Sequence, residues 1–158
     1  MIILGLDPGT ARLGYGILKK EGSKLLHVEH GVIETPAGMP QASRLYEIST
    51  MLEELMALHK PDHVGVEKLF FSKNVKTAMT VSEARGVIML SAKRQNVSIS
   101  EHTPGQVKQA VSGYGSADKK QVQAMVCRLL KLAEIPQPDD AADALAIAYC
   151  AAVTLPIR

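Results

Sequence analysis

The segment covering residues 41–58 constrains the fold more than any other. Leu45, Ile48, Leu52, Leu55 and Met56 recur there at helical spacing, and Pro61 ends the pattern. The amphipathic helix so predicted lies between two short apolar runs, residues 1–7 and 63–67. Strands joined through a helix cannot form a hairpin, so the crossover sets them side by side in parallel. Before that helix, the first run stops at Asp7-Pro8-Gly9, and residues 15–19 and 25–34 form two β-like stretches with Gly22-Ser23 as the turn between them. An antiparallel three-stranded meander is therefore expected to precede the parallel part.

A second helix is predicted over residues 75–94 and a fifth strand over 97–101. Thr103-Pro104-Gly105-Gln106 has the form of a capping box with proline at the first helical position, so a short helix carrying Lys108 begins there. After a loop at residues 112–116, Ser116 is expected to cap a helix over 117–131, and Pro136-Gln137-Pro138 leads into a last helix over 139–153. The result is an α/β mixed five-stranded sheet flanked by helices. It fits no clean Rossmann order and matches the mixed sheet of RNase H-like domains. The chain has 158 residues, 46% of them hydrophobic, which suits one domain spanning 1–158. No run approaches the roughly 20 apolar residues that cross a bilayer, and no basic leader precedes Ile2, so a soluble, cytoplasmic protein is expected. Cys127 and Cys150 lack metal or disulfide spacing and read as reduced structural thiols.

Acidic residues mark the ends of these elements. Asp7 and Glu67 each terminate an apolar strand, which brings their carboxylates to one edge of the sheet. Asp140 and Asp143 stand three apart at the start of the last helix and share one face of it. The helix dipole accounts for Asp139 and Asp140 without further help, but not for Asp143, which lies a turn further in among Ala142, Ala144 and Leu145. An alternative pairing of Asp139 with Asp143 stays open. Four converging carboxylates repel unless cations compensate them, and oxygen-only ligands favour Mg²⁺ or Mn²⁺. Two such ions about 4 Å apart can activate water and stabilise the leaving oxygen in phosphodiester hydrolysis.

The net charge of +2 conceals a segregation. Residues 68–131 hold 11 Lys and Arg against 3 Asp and Glu, a balance of +8, and the rest of the chain carries −6. A basic middle with acidic ends suits a protein that attracts a polyanion while concentrating carboxylates elsewhere.

Several motifs, in order, resemble the RuvC family of Holliday-junction resolvases. Gly5-Leu6-Asp7-Pro8-Gly9-Thr10 with Gly14-Tyr15-Gly16 is similar to its opening, and Val66-Glu67-Lys68-Leu69-Phe70 to its second acidic strand. Ala84-Arg85-Gly86, Gln106-Val107-Lys108-Gln109, Gly115-Ser116-Ala117-Asp118-Lys119 and the segment from Asp140 to Ala146 continue the likeness over nearly the whole chain. The resemblance implies a homodimeric crossover junction endodeoxyribonuclease acting in DNA recombination and repair. It would use two Mg²⁺ ions, with Mn²⁺ able to substitute, and a branch-migration motor of the RuvA and RuvB type as partner. By the same resemblance Asp7, Glu67, Asp140 and Asp143 carry the metals, and Lys108 and Lys119 contact four-way junction DNA near the scissile phosphate. Phe70 is similar to an aromatic that stacks at the junction centre, and Arg85 is a further DNA-binding candidate.

Other readings share parts of this pattern. The strand-Asp-x-Gly-Thr opening also resembles actin-like kinases, but those close two such domains over a nucleotide. A related RNase H-like group acting in ribosomal RNA processing shares the opening, and a non-catalytic nucleic-acid-binding module could keep the fold. For assembly, the predicted helix at 75–94 is the candidate dimer face, since Ala78, Val81, Val87, Ile88, Met89 and Leu90 exceed one buried stripe. Lys119 falls three residues past the expected cap Ser116, where a helix dipole disfavours a cation; a phosphate partner would explain it.

Overall fold

The computed structural model describes residues 1–69 and 75–156. Five strands, β1 (Ile2–Asp7), β2 (Arg12–Glu21), β3 (Lys24–Glu34), β4 (His63–Glu67) and β5 (Ser98–His102), form one sheet in the order β3-β2-β1-β4-β5. The meander β1-β2-β3 is antiparallel, whereas β4 pairs parallel to β1 and β5 parallel to β4. Helix α1 (Gln41–His59) makes the crossover that the sequence requires, and α2 (Val75–Arg94) makes the next. Helices α3 (Pro104–Ser112), α4 (Lys119–Leu129) and α5 (Asp139–Thr154) follow.

The mixed sheet is the expected one, with local differences. β2 begins at Arg12 and ends at Glu21, longer at both ends than its β-like core, because its ladder with β3 continues from Arg12↔Glu34 to Glu21↔Lys24. α4 starts at Lys119 and is capped by Asp118, not Ser116: the Asp118 carboxylate accepts from Gln121 N at 2.8 Å, while the Gln121 side chain accepts from Asp118 N at 3.0 Å. This reciprocal box satisfies two otherwise orphaned N–H groups, which a single serine hydroxyl two residues earlier cannot do. The box predicted at Thr103 and Gln106 is present.

The sheet has a core on each face. Leu4, Leu6, Val64 and Val66 point to one side and pack with Ile48 and Leu52 of α1 and Ile88 of α2. Ile3 and Leu18 point to the other, beneath Leu145 and Ile147 of α5. Alternation along β1 puts Gly5 and Asp7 on the α5 side, and along β4 Gly65 and Glu67. Helix α5 is rich in alanine and lies directly on the strand backbones. A Cβ on Gly5 would stand 2.3 Å from the Ala144 carbonyl oxygen, and one on Gly14 would stand 2.1 Å from that of Asp140. Only glycine allows this approach, and it sets the start of α5 beside the end of β1.

Candidate active site

The closeness of α5 to the sheet decides which carboxylates meet. Asp7 at the end of β1, Glu67 at the end of β4 and Asp143 on α5 line one cleft of about 200 Å³, together with Lys108 of α3 and Lys119 of α4. Val107, Val122 and Ala146 give it an apolar wall. Three of the four expected acids and both expected lysines therefore converge from five separate elements.

The fourth acid, Asp140, adjoins the cleft without lining it. Its carboxylate is 3.7 Å from the Arg12 guanidinium, which also pairs with Glu34 at 2.7 Å. Sequence reasoning passed over Arg12; the only signal is its position at the foot of the turn that follows Asp7. Asp139 faces Lys119, whose Nζ lies 3.2 Å from Asp139 and 3.0 Å from Asp143. Asp139 and Asp143 thus share a lysine, while Asp140 and Asp143 diverge toward different cations.

The electrostatics follow from this packing. Burial, then the charges of Glu67, Asp143 and Asp140, push the Asp7 carboxyl up to about 8, with Lys119 opposing. Burial also raises Glu67, helped by Asp143 and offset by Lys108. Asp143 is raised by burial despite its bond to Lys119. Burial alone would lower the Lys119 ammonium, but its bonds to Asp143 and Asp139 outweigh that and raise it. The acids of the cleft are held above their ordinary range chiefly because burial disfavours their charged forms, with repulsion among the carboxylates adding to it.

As the side chains stand, no three His, Cys, Asp or Glu groups among the described residues are close enough to hold one metal ion. Arg12 draws Asp140 outward, and Lys119 holds Asp143. The donor chemistry nonetheless fits a hard divalent cation, since the cleft offers carboxylate oxygens and neither thiol nor imidazole. One other candidate, Arg85, does not join the cleft. Arg85 is largely buried and pairs with Glu101 of β5 on the α2 side of the sheet. Phe70 lies outside the described residues.

Residues 3–151 match the family described as "Crossover junction endodeoxyribonuclease RuvC". A protein of that name from Heliobacterium modesticaldum is 56% identical over 155 residues, covering 98% of this chain and 96% of its own length. Another from Chloroflexus aggregans is 51% identical over 156 residues, covering 99% and 95%. Among solved structures, Thermus thermophilus RuvC in complex with Holliday junction substrate superposes with a TM-score of 0.88 at 33% identity, covering 98% of this chain and 95% of that one. The yeast mitochondrial Holliday junction resolvase Ydc2, at 15% identity and a TM-score of 0.68, shares the fold.

Proposed function

This chain belongs to the RuvC family of crossover junction endodeoxyribonucleases, and from that premise we propose that it resolves four-way DNA junctions by hydrolysing one phosphodiester bond in each of two symmetry-related strands. The observation that carries the proposal is the convergence of Asp7, Glu67 and Asp143 from β1, β4 and α5 on one cleft that also holds Lys108 and Lys119. Likeness to a relative solved with a Holliday junction supports the substrate class.

In this reading residues 1–158 act as one nuclease domain. Asp7, Glu67, Asp143 and Asp140 hold two Mg²⁺ ions, for which Mn²⁺ can substitute. When bound, such ions supply the charge for activating water and stabilising the leaving oxygen. The residues divide the remaining work. Asp7 and Glu67 are fixed by strand backbone, so they form the rigid side of the cleft, and Asp143 closes it from α5. Lys108 and Lys119, one turn or less from the starts of α3 and α4, present ammonium groups to a phosphate approaching the carboxylates. Phe70 at the junction centre, and a branch-migration motor of the RuvA and RuvB type as partner, rest on family likeness alone. Arg85, held by Glu101, is better suited to anchoring α2 on β5 than to meeting DNA.

Symmetric cutting needs two sites related by a two-fold axis, and the exposed face of α2 supports a homodimer. Ile88 belongs to the core, whereas Met79 is 63% exposed and Leu90 52%. Gly86 lies between them on the same helical face with open space beside it. Incubating the protein with a synthetic four-way junction and with linear duplex, each with and without Mg²⁺, tests the proposal. Paired nicks at opposed positions in the junction only, and only with the ion, are expected. Cleavage of linear duplex at an equal rate would overturn it.

A further inference from the structure

Strand β5 carries polar side chains that the nuclease reading does not use. Ile99 packs with the core beneath α1 and α2, so alternation turns Ser98, Ser100 and His102 to the α5 side of the sheet. Parallel pairing sets these three opposite His63, Gly65 and Glu67 of β4 in turn. His63 and His102 are only 6% and 5% exposed. Burying two imidazoles is costly unless hydrogen bonds satisfy them.

Here they form one continuous column. His63 Nδ1 lies 2.8 Å from Ser98 Oγ and His63 Nε2 lies 2.7 Å from Ser100 Oγ, while Ser100 Oγ lies 2.7 Å from His102 Nε2. Ser98 donates its hydroxyl to the Asp62 carbonyl at 3.1 Å, and that fixes the direction of the rest. With neutral rings, His63 Nδ1 donates to Ser98, Ser100 donates to His63 Nε2, and His102 Nε2 donates to Ser100. Burial holds both imidazoles below their ordinary value, and the neighbouring His102 adds to the effect on His63, so the rings are neutral at neutral pH.

A column of this kind selects a register. Parallel strands slipped by two residues keep each side chain on its own face, so backbone pairing alone distinguishes the two alignments poorly. One imidazole spanning Ser98 and Ser100 does distinguish them. A slip of that size would shift the end of β5 by about 7 Å along Glu67. That end needs holding, because β5 is an edge strand of five residues that pairs with β4 only. There the His102 carbonyl accepts from Lys68 N at 2.7 Å, directly after Glu67, and the next residue, Thr103, caps the helix that carries Lys108. We propose that His102 is a positioning residue of the nuclease centre: anchored through Ser100 to His63, it holds the end of β5 against β4 and so fixes Glu67 relative to Lys108. The inference rests on the reading of Glu67 as a metal ligand. An apolar side chain at this position would fill the same space and leave the register unspecified.

Three variants of the intact protein test it: His102→Leu removes the ring donor, Ser100→Ala removes the link, and His102→Gln keeps an N–H donor. Mn²⁺ binding by the DNA-free protein is read from the loss of the free-ion resonance signal, with single-turnover junction cleavage and the thermal midpoint alongside. His102→Leu and Ser100→Ala should each bind Mn²⁺ at least about fivefold more weakly, and His102→Gln within about twofold of the parent. Cleavage at saturating junction should fall in the same order. Ile48→Val, in the core beneath α1, is the control; it should lower the thermal midpoint and leave Mn²⁺ affinity in place. Parental Mn²⁺ affinity in folded His102→Leu and Ser100→Ala overturns the proposal and leaves the carboxylate reading intact. A His102→Gln protein as weak as His102→Leu also overturns it, as does an equal loss in Ile48→Val, which would assign the effect to stability alone. No Mn²⁺ binding by the parent overturns the proposal and the reading together. Should His102→Leu fail to fold, Ser100→Ala decides, because it takes away one hydroxyl and no packing carbon.

Discussion

The Lys119 ammonium lies 3.0 Å from the Asp143 carboxylate, so the lysine occupies part of the space from which a cation would neutralise the cleft. In the DNA-free protein a cation bound there would compete with the lysine for the same oxygens. Lys119→Met should therefore strengthen Mn²⁺ binding in the absence of DNA, by a few-fold given the partial exposure of the pair, as measured by the loss of the free Mn²⁺ resonance signal. With junction present, Lys119→Ala should lower the single-turnover cleavage rate more than it weakens junction binding, because charge developing in the transition state is stabilised selectively. A variant that cleaves at the parental rate but binds more weakly would reduce Lys119 to a docking contact.

Asp7 imposes a pH dependence on stability. Its folded value of about 8 lies well above the ordinary range near 4. Between those values the folded state keeps a proton that the unfolded state has lost, so stability falls as pH rises. The metal-free protein should lose thermal stability progressively from about pH 4 to about pH 8, and Asp7→Asn should flatten that slope. Saturating Mg²⁺ should restore stability at the alkaline end, since it compensates the ionised cluster. A melting temperature that is level across this window in metal-free buffer would contradict the electrostatic account.

Close packing of α5 on the sheet makes Gly14 a second point of failure. Gly14→Ala would force its Cβ against the Asp140 carbonyl, which is backbone and cannot turn aside. The expected outcome is destabilisation by about 1–3 kcal/mol, the range for overpacking in a well-packed interior, measured by urea unfolding. A junction-cleavage defect in the folded fraction should accompany it, because the helix carrying Asp143 must shift.

These features differ in how far the sequence discloses them. The meander, the crossover and the capping box of α3 rest on local spacing, and they stand in the structure as read. Asp7 and Glu67 are equally legible, because a strand that ends on an acid fixes where that acid lies. The partners of the acids on α5 are not legible. Whether Asp139 or Asp140 turns toward Lys119 depends on the rotation of α5 against α4, a tertiary relationship no helical period contains; here Asp139 takes the lysine and Asp140 takes Arg12. The cap of α4 is ambiguous in the sequence for a related reason. Serine and aspartate both cap well in isolation, and Gln121 three residues after Asp118 decides between them by completing the box. On α2, a list of apolar residues does not say which way the helix faces: Ile88 lies in the core, whereas Met79 and Leu90 are exposed.

For the dimer, Leu90→Glu on the exposed face of α2 should convert a two-fold assembly into monomers at micromolar concentration, observed by sedimentation, while the thermal midpoint stays close to the parent. Paired cleavage should give way to single nicks. An active parent that sediments as a monomer at the same concentration would remove the two-fold axis from the account.

Cleavage and binding of a synthetic four-way junction by Asp7→Asn, each compared with the parent at saturating Mg²⁺, bear most directly on the central claim. The substitution removes a carboxylate at the end of β1 and adds no repulsion toward DNA. Cutting should fall by at least about a thousandfold, a loss of roughly 4 kcal/mol of transition-state stabilisation, with junction affinity equal to or above that of the parent. Substantial Mg²⁺-dependent cutting by the folded variant would contradict the assignment of Asp7, Glu67 and Asp143 as the catalytic centre.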